Sequence, residues 1–345
     1  MVMKNREPKK YRVLISEARS FMLGVAMLAV MLYHLACGNF CVQPFLGETY
    51  CLKLGHWGVD LFLFLSGFGI YYSLQKHGKW WSFYSRRLWR IMPSCMLVGW
   101  FLIICSGRFS IDLATISRVF GLHEWYIRCI ILFYAVAPIL MWGVKKANAV
   151  VIAVFVVVLM AVISCLLAYS FCHSVCDING SILGTVRGTL QFSLCRFPSF
   201  VLGFLMASSD KLLQGKELGL YLVVAAVSLL LAIWGHLMGA IGILGGYDEY
   251  VRVLSYVCLA VSLPLIAFGL GYLCSILPVW LVSVFSWMGT YSLEIFLIHW
   301  FVFATIRTLY PIECGGYTVI AFICSYGAAF ILNRVVLCVV KYVRK

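Results

Sequence analysis

RSFMLGVAMLAVMLYHLAC, residues 19–37, is the stretch on which the reading of this chain turns. After Arg19 it is apolar for long enough to cross a bilayer as a helix, and near its far end it carries one ionisable ring, His34. An imidazole at membrane depth is unfavourable unless it faces a cavity or a polar partner, so His34 is the first candidate for chemistry. The plainer alternative is a histidine near the headgroups, hydrogen-bonded to a neighbouring helix.

Working outward, the 345 residues are 63% hydrophobic and 12% charged, with a mean hydropathy of +0.98. Soluble domains carry about 25% charged residues, so the composition excludes an ordinary soluble enzyme and indicates an all-α polytopic membrane protein. The net charge of +14 would suit nucleic acid if the basic residues were spread, but they are not. Nineteen of the 27 lysines and arginines fall in segments 4–19, 76–90, 145–146, 211–216 and 334–345. These alternate with basic-poor segments, as cytoplasmic loops do.

About 20 apolar residues span a bilayer. Ten spans follow, at 20–37, 58–74, 93–107, 124–143, 148–170, 192–208, 217–236, 252–273, 288–309 and 316–340, the third being short. An even count with the basic amino terminus inside puts both termini in the cytoplasm. The first run ends in His-Leu-Ala-Cys-Gly, which has His34 where a lipoprotein cleavage box needs an aliphatic residue, so it reads as an uncleaved first helix. Segment 278–287, PVWLVSVFSW, is too short to span and reads as an interfacial or half helix. Outside the spans lie Cys41, Cys51, Cys172, Cys176 and Cys314, with Cys37 at the boundary. Disulfides in an oxidising compartment suit them better than a zinc site, with free thiols as the alternative, and neither a metal nor a bound cofactor is expected.

Several residues are expensive in such a bundle. Asp60 opens the second span; His123, Glu124 and Arg128 open the fourth, where Glu124 and Arg128 are four apart and can pair. Arg196 lies in the sixth span. Glu294 and His299 share the ninth, about 140° apart around the helix, and need not share a partner. A histidine with a carboxylate nearby is an arrangement for general-base chemistry, although polar clusters also line transport paths. In KHGKWWSFYSRRLWR, 76–90, the cations either orient the protein or grip an anionic cytosolic donor. The glycines of SGFGIYYSL, 66–74, follow no strand; they suit close helix approach rather than a nucleotide loop.

Arg19 to His34, GVDLFLFLSGFGIYYSL (58–74), FYSRRLWRIMPS (83–94), HEWYIRCIILFYAVAP (123–138), RFPSFVLGFLMA (196–207) and MGTYSLEIFLIHW (288–300) resemble, in that order, the landmarks of the acyltransferase 3 family, bacterial integral membrane O-acyltransferases. The resemblance implies a standalone transmembrane acyltransferase domain over 1–345: a cytoplasmic amino terminus to residue 19, a ten-helix bundle over 20–340 and a cytoplasmic tail. It implies location in the bacterial cytoplasmic membrane. The implied activity moves an acyl group, usually acetyl, from the co-substrate acyl-CoA to a hydroxyl of a surface glycan or lipid-linked envelope acceptor.

In that reading His34 is the base or the acyl carrier, and His123 with Glu124 orients the acceptor or supports His34. Arg86, Arg87, Arg90 and Arg19 bind the phosphates of acyl-CoA. Arg196, Glu294 and His299 match further family positions, for the oxyanion or the acceptor. One departure stands out: many members carry arginine eleven residues before the histidine, where this chain has Leu23, and Arg19 lies one turn further in, about 60° around. A transporter or flippase for a lipid-linked glycan is the alternative, in which the same residues line a path; no nucleic-acid partner is expected.

Overall fold

A computed structural model describes residues 11–37, 54–76, 80–107, 112–122, 124–173, 182–209, 216–241, 247–309 and 316–343. In hydrocarbon each backbone N–H and C=O needs an internal partner, and apolar runs of this length meet that demand as helices. Among the described residues there are thirteen α-helices and no strand. They are α1 (Tyr11–Glu17), α2 (Arg19–Cys37), α3 (Trp57–Lys76, entered by a 3₁₀ turn at Leu54–His56), α4 (Trp80–Ser106), α5 (Leu113–Val119), α6 (Trp125–Lys146), α7 (Ala149–His173), α8 (Ile182–Ser208), α9 (Lys216–Ile241), α10 (Asp248–Ile276), α11 (Val279–Thr290), α12 (Ser292–Leu309) and α13 (Gly316–Val343).

Nine of the described helices are long and apolar enough to cross a membrane, and α1 with α2, bent by 63°, makes a tenth candidate span. The chain is therefore a multi-pass membrane protein. The ten spans read from sequence all have a helical counterpart, but the third and the ninth start elsewhere than expected. The third span is not the short 93–107 segment: α4 is 27 residues long and begins at Trp80. The basic run thus forms the first turns of a helix, with Pro93 accommodated inside it. The ninth span does not begin at 288. The 278–287 segment belongs to the separate helix α11, which closes at Tyr291, whose N–H turns back to the Met288 and Gly289 carbonyls before α12 starts. Helix α5 was not anticipated at all; Asp112 caps it by accepting from the Thr115 N–H at 2.7 Å.

Burial separates the centre of the bundle from its rim. Of the best membrane-spanning window, 78% is buried in α8 and 67% in α3, against 17% in α9 and 22% in α13. Helix α2 is central as well, with Phe21, Met22, Met27, Val30 and Met31 buried. It packs on α3, α10, α11 and α12. Lipid tails are as apolar as leucine, so helices gain mainly by close packing, which small residues permit. A Cβ at Gly67 would strike the Phe200 carbonyl, and one at Gly203 the Phe64 carbonyl, so α3 and α8 meet backbone to backbone. The close approach read from the 66–74 glycines is found at Gly67. Gly24 and Gly289 do the same for α2 and α11, against Phe285 and Ser20. These crossings fix where the polar side chains of α2 come to rest.

Candidate active site

His34 sits on the last turn of α2, half-buried, and meets His299 of α12. Its Nδ1 lies 2.7 Å from the Nε2 of His299, with ring centroids 4.8 Å apart. The other nitrogen of His299 is directed at its own helix: Nδ1 is 2.8 Å from the Ile295 carbonyl and 3.0 Å from that of Phe296. Carbonyls only accept, so this nitrogen carries the hydrogen. A neutral His299 then presents a lone pair at Nε2, which must accept from the Nδ1–H of His34. The assignment leaves the remaining nitrogen of His34, Nε2, with its lone pair. Trp300 stands edge-on to the ring, 5.4 Å between centroids, and Tyr33 flanks it at 5.3 Å.

His34 lines a cavity of about 320 Å³. Across it lies Arg196 of α8, buried, its Nε 3.4 Å from Asp60 Oδ2. Asp60 is held in turn by Ser199, whose Oγ donates to Oδ1 at 3.1 Å. The guanidinium carbon is 4.0 Å from the centre of the Tyr256 ring and 4.8 Å from that of Trp125, both lining the cavity. Among the described residues Nη1 of Arg196 has no hydrogen-bond partner. A buried guanidinium hydrogen without an acceptor is costly, and a ligand oxygen entering the cavity would satisfy it.

A second, smaller pocket of about 70 Å³ is bordered by Arg19, Arg87, Arg90, Tyr126 and Ser66. Among the described residues its lining contains three guanidinium groups and no carboxylate. Arg86 is exposed and is not part of that lining, because successive residues of α4 point about 100° apart. Leu23, at the position where an arginine was looked for, borders this same pocket one turn from Arg19. Arg19 passes beside Gly69 of α3. Arginine and histidine are thus joined by one helix: Arg19 and His34 are 15 residues apart, on the order of 22 Å along α2.

The other sequence-derived candidates fall differently. Glu294 is buried and accepts from Ser94 Oγ at 3.3 Å and from Asn333 Nδ2 at 3.0 Å, tying α12 to α4 and α13. It borders neither cavity and, as its angular offset foretold, shares no hydrogen-bond partner with His299 in the described residues. Glu124 precedes α6 beside Trp125, as its N-cap residue. Arg128 donates from Nη1 to the Leu122 carbonyl. His123 lies outside the described residues, as do Cys41, Cys51, Cys176 and Cys314; the side chains of Cys37 and Cys172 are likewise not described.

Two histidines escaped the sequence reading. His56, in the turn before α3, borders the larger cavity, and its ring is 4.5 Å from that of His236 on α9. Tyr33 bridges the two pairs, its ring 5.4 Å from His56. The signal available for them was slight, since each stands at the edge of a span, where an interfacial histidine is unremarked.

The family model described as an acyltransferase domain, that of the acyltransferase 3 family, matches residues 22–336 of this chain. No curated protein and no solved structure matches it.

Proposed function

The chain belongs to the acyltransferase 3 family, and from that premise we propose that it carries an acyl group, acetyl in the simplest case, from cytosolic acyl-CoA to a hydroxyl of a cell-surface glycan or other envelope acceptor. The observation that carries this reading is the contact of His34 Nδ1 with His299 Nε2, which leaves the other nitrogen of His34 free to act as a base on a ring that lines a cavity. The positive-inside bias supports a reading in which the arginine pocket faces the cytosolic side of the inner membrane. Arg19, Arg87 and Arg90 then take the phosphates of the donor, since guanidinium forks match phosphate oxygens. The thioester end extends toward the histidines.

His34 Nε2 accepts the proton of the acceptor hydroxyl as its oxygen bonds to the thioester carbonyl carbon. His299 holds the tautomer that makes this possible. Arg196, oriented by Asp60, offers its unpartnered Nη1 to the acceptor or to the oxyanion. Collapse of the tetrahedral intermediate breaks the carbon–sulfur bond, the thiolate takes the proton back from His34, and the free thiol of CoA leaves. His123 and Glu124 support the histidine side, and no bound cofactor or metal enters the scheme.

The test is incubation of membranes containing the protein with radiolabelled acetyl-CoA. The wild type leaves label on a membrane-associated or surface acceptor, and His34→Ala lowers it about 10²- to 10⁴-fold at equal protein level. Unchanged labelling in His34→Ala overturns the assignment. Absence of covalent label from the wild type, with glycan transport retained, favours the path-lining reading instead.

A further inference from the structure

We propose that Phe296 is the partition between the arginine pocket and the histidine cavity, and that its bulk determines which acyl chains pass from one to the other. The inference rests on the acyl-transfer reading above. Of the described residues bordering the two spaces, Phe296 is the one common to both.

Its surroundings are those of a wall. The ring of Tyr126 lies 4.8 Å from that of Phe296, tilted by 50°, and the ring of Phe62 is 6.4 Å from Tyr126. Tyr126 and Phe62 face the arginine pocket, whereas their near neighbours Trp125 and Val59 face the histidine cavity. Helices α3, α6 and α12 therefore each change sides at the same level, and Phe296 stands where they meet.

Two further observations give the wall a function. The spaces are unequal, about 70 Å³ on the arginine side and about 320 Å³ on the histidine side, so a thioester arm is not contained in the first and must enter the second to react. Phe296 also belongs to the turn that orients the base, because its carbonyl is one of the two that hold His299 Nδ1. A ring that turns aside for the acyl group and returns behind it keeps water from reaching the thioester along the arginine side. Water in place of the acceptor would convert acyl-CoA to free acid and free CoA thiol.

The experiment uses the full chain in lipid vesicles with acetyl-, butanoyl- and octanoyl-CoA, comparing wild type, Phe296→Leu and Phe296→Ala. Removing the ring joins the two spaces. Phe296→Ala is expected to raise use of the longer donors relative to acetyl-CoA by about tenfold or more, the scale at which apolar pockets sense chain length. It is also expected to increase release of free CoA thiol without acceptor, with Phe296→Leu between the two.

A second measurement is independent of turnover. Val59→Cys places a thiol in the histidine cavity, and its reaction with an anionic thiol reagent supplied from the arginine side, corrected for the chain's own cysteines, should accelerate with Phe296→Ala. An unchanged donor ratio together with unchanged Val59→Cys labelling overturns the partition. If the wild type transfers nothing from any acyl-CoA yet the labelling rate responds, the partition stands and the acyl-transfer reading fails. Should Phe296→Ala not fold, Phe296→Leu decides by the same two readouts.

Discussion

The arginine pocket and the histidine cavity handle positive charge in opposite ways. Arg19, Arg87 and Arg90 border the smaller space with no carboxylate among the described lining residues, so an anion from outside would relieve their mutual repulsion. Arg196 at the larger space is already paired with Asp60 and enclosed by Tyr256 and Trp125, and its position is set before any ligand arrives. Charge recruits at one end and positions at the other. The imidazoles follow the second pattern: His299 is buried and held by two carbonyls, and it holds His34 in turn.

That contrast can be broken by substitution. Asp60→Ala should have the largest effect, because it leaves a fully buried guanidinium without its carboxylate; about 3–5 kcal/mol of stability is lost, read as a lower thermal midpoint in detergent. An unchanged midpoint would mean that Arg196 is not committed to Asp60. His299→Phe preserves bulk but removes the acceptor that fixes the His34 tautomer. It should lower kcat about 10²-fold, the lower end of general-base contributions, while the KM for acyl-CoA stays constant. A rise in donor KM instead would place His299 at the donor.

The arginine end should respond in the other parameter. Arg87→Gln removes one charge-assisted contact worth about 1.5–3 kcal/mol, so the KM for acyl-CoA rises roughly tenfold or more while kcat is little changed. Equal changes for donors with and without phosphates would show that the pocket does not read the phosphate groups. The smallest effect sharpens the boundary of the site. Glu294→Gln retains an acceptor for Ser94 and Asn333, and transfer should persist with less than about 1 kcal/mol lost on unfolding. Abolished transfer in a folded Glu294→Gln protein would return that carboxylate to the chemistry.

Much of the architecture was legible in the chain, because membrane insertion makes a local property decisive: each apolar run must become a helix wherever it lies. The errors occurred where hydropathy carries no signal. Arginines in the first turns of α4 made a helix resemble a loop, and uninterrupted hydropathy hid the break at Tyr291. Helix α5 is too short for any hydropathy window. At the site, Arg19 lies one turn from Leu23, and both border one pocket. Nothing in the sequence, however, indicated that Arg86 would part from its neighbours.

By itself, then, the sequence determined that this is a bundle of membrane helices and which few polar side chains it must accommodate, since bilayer thickness and the scarcity of charge depend on composition and order alone. Only the tertiary structure decided which of those side chains meet. His34 and His299 stand 265 positions apart, and Asp60 finds Arg196 across 136. Asp60 and Arg196 meet because α3 and α8 approach backbone to backbone at Gly67 and Gly203, and His34 meets His299 because α2 packs on α12.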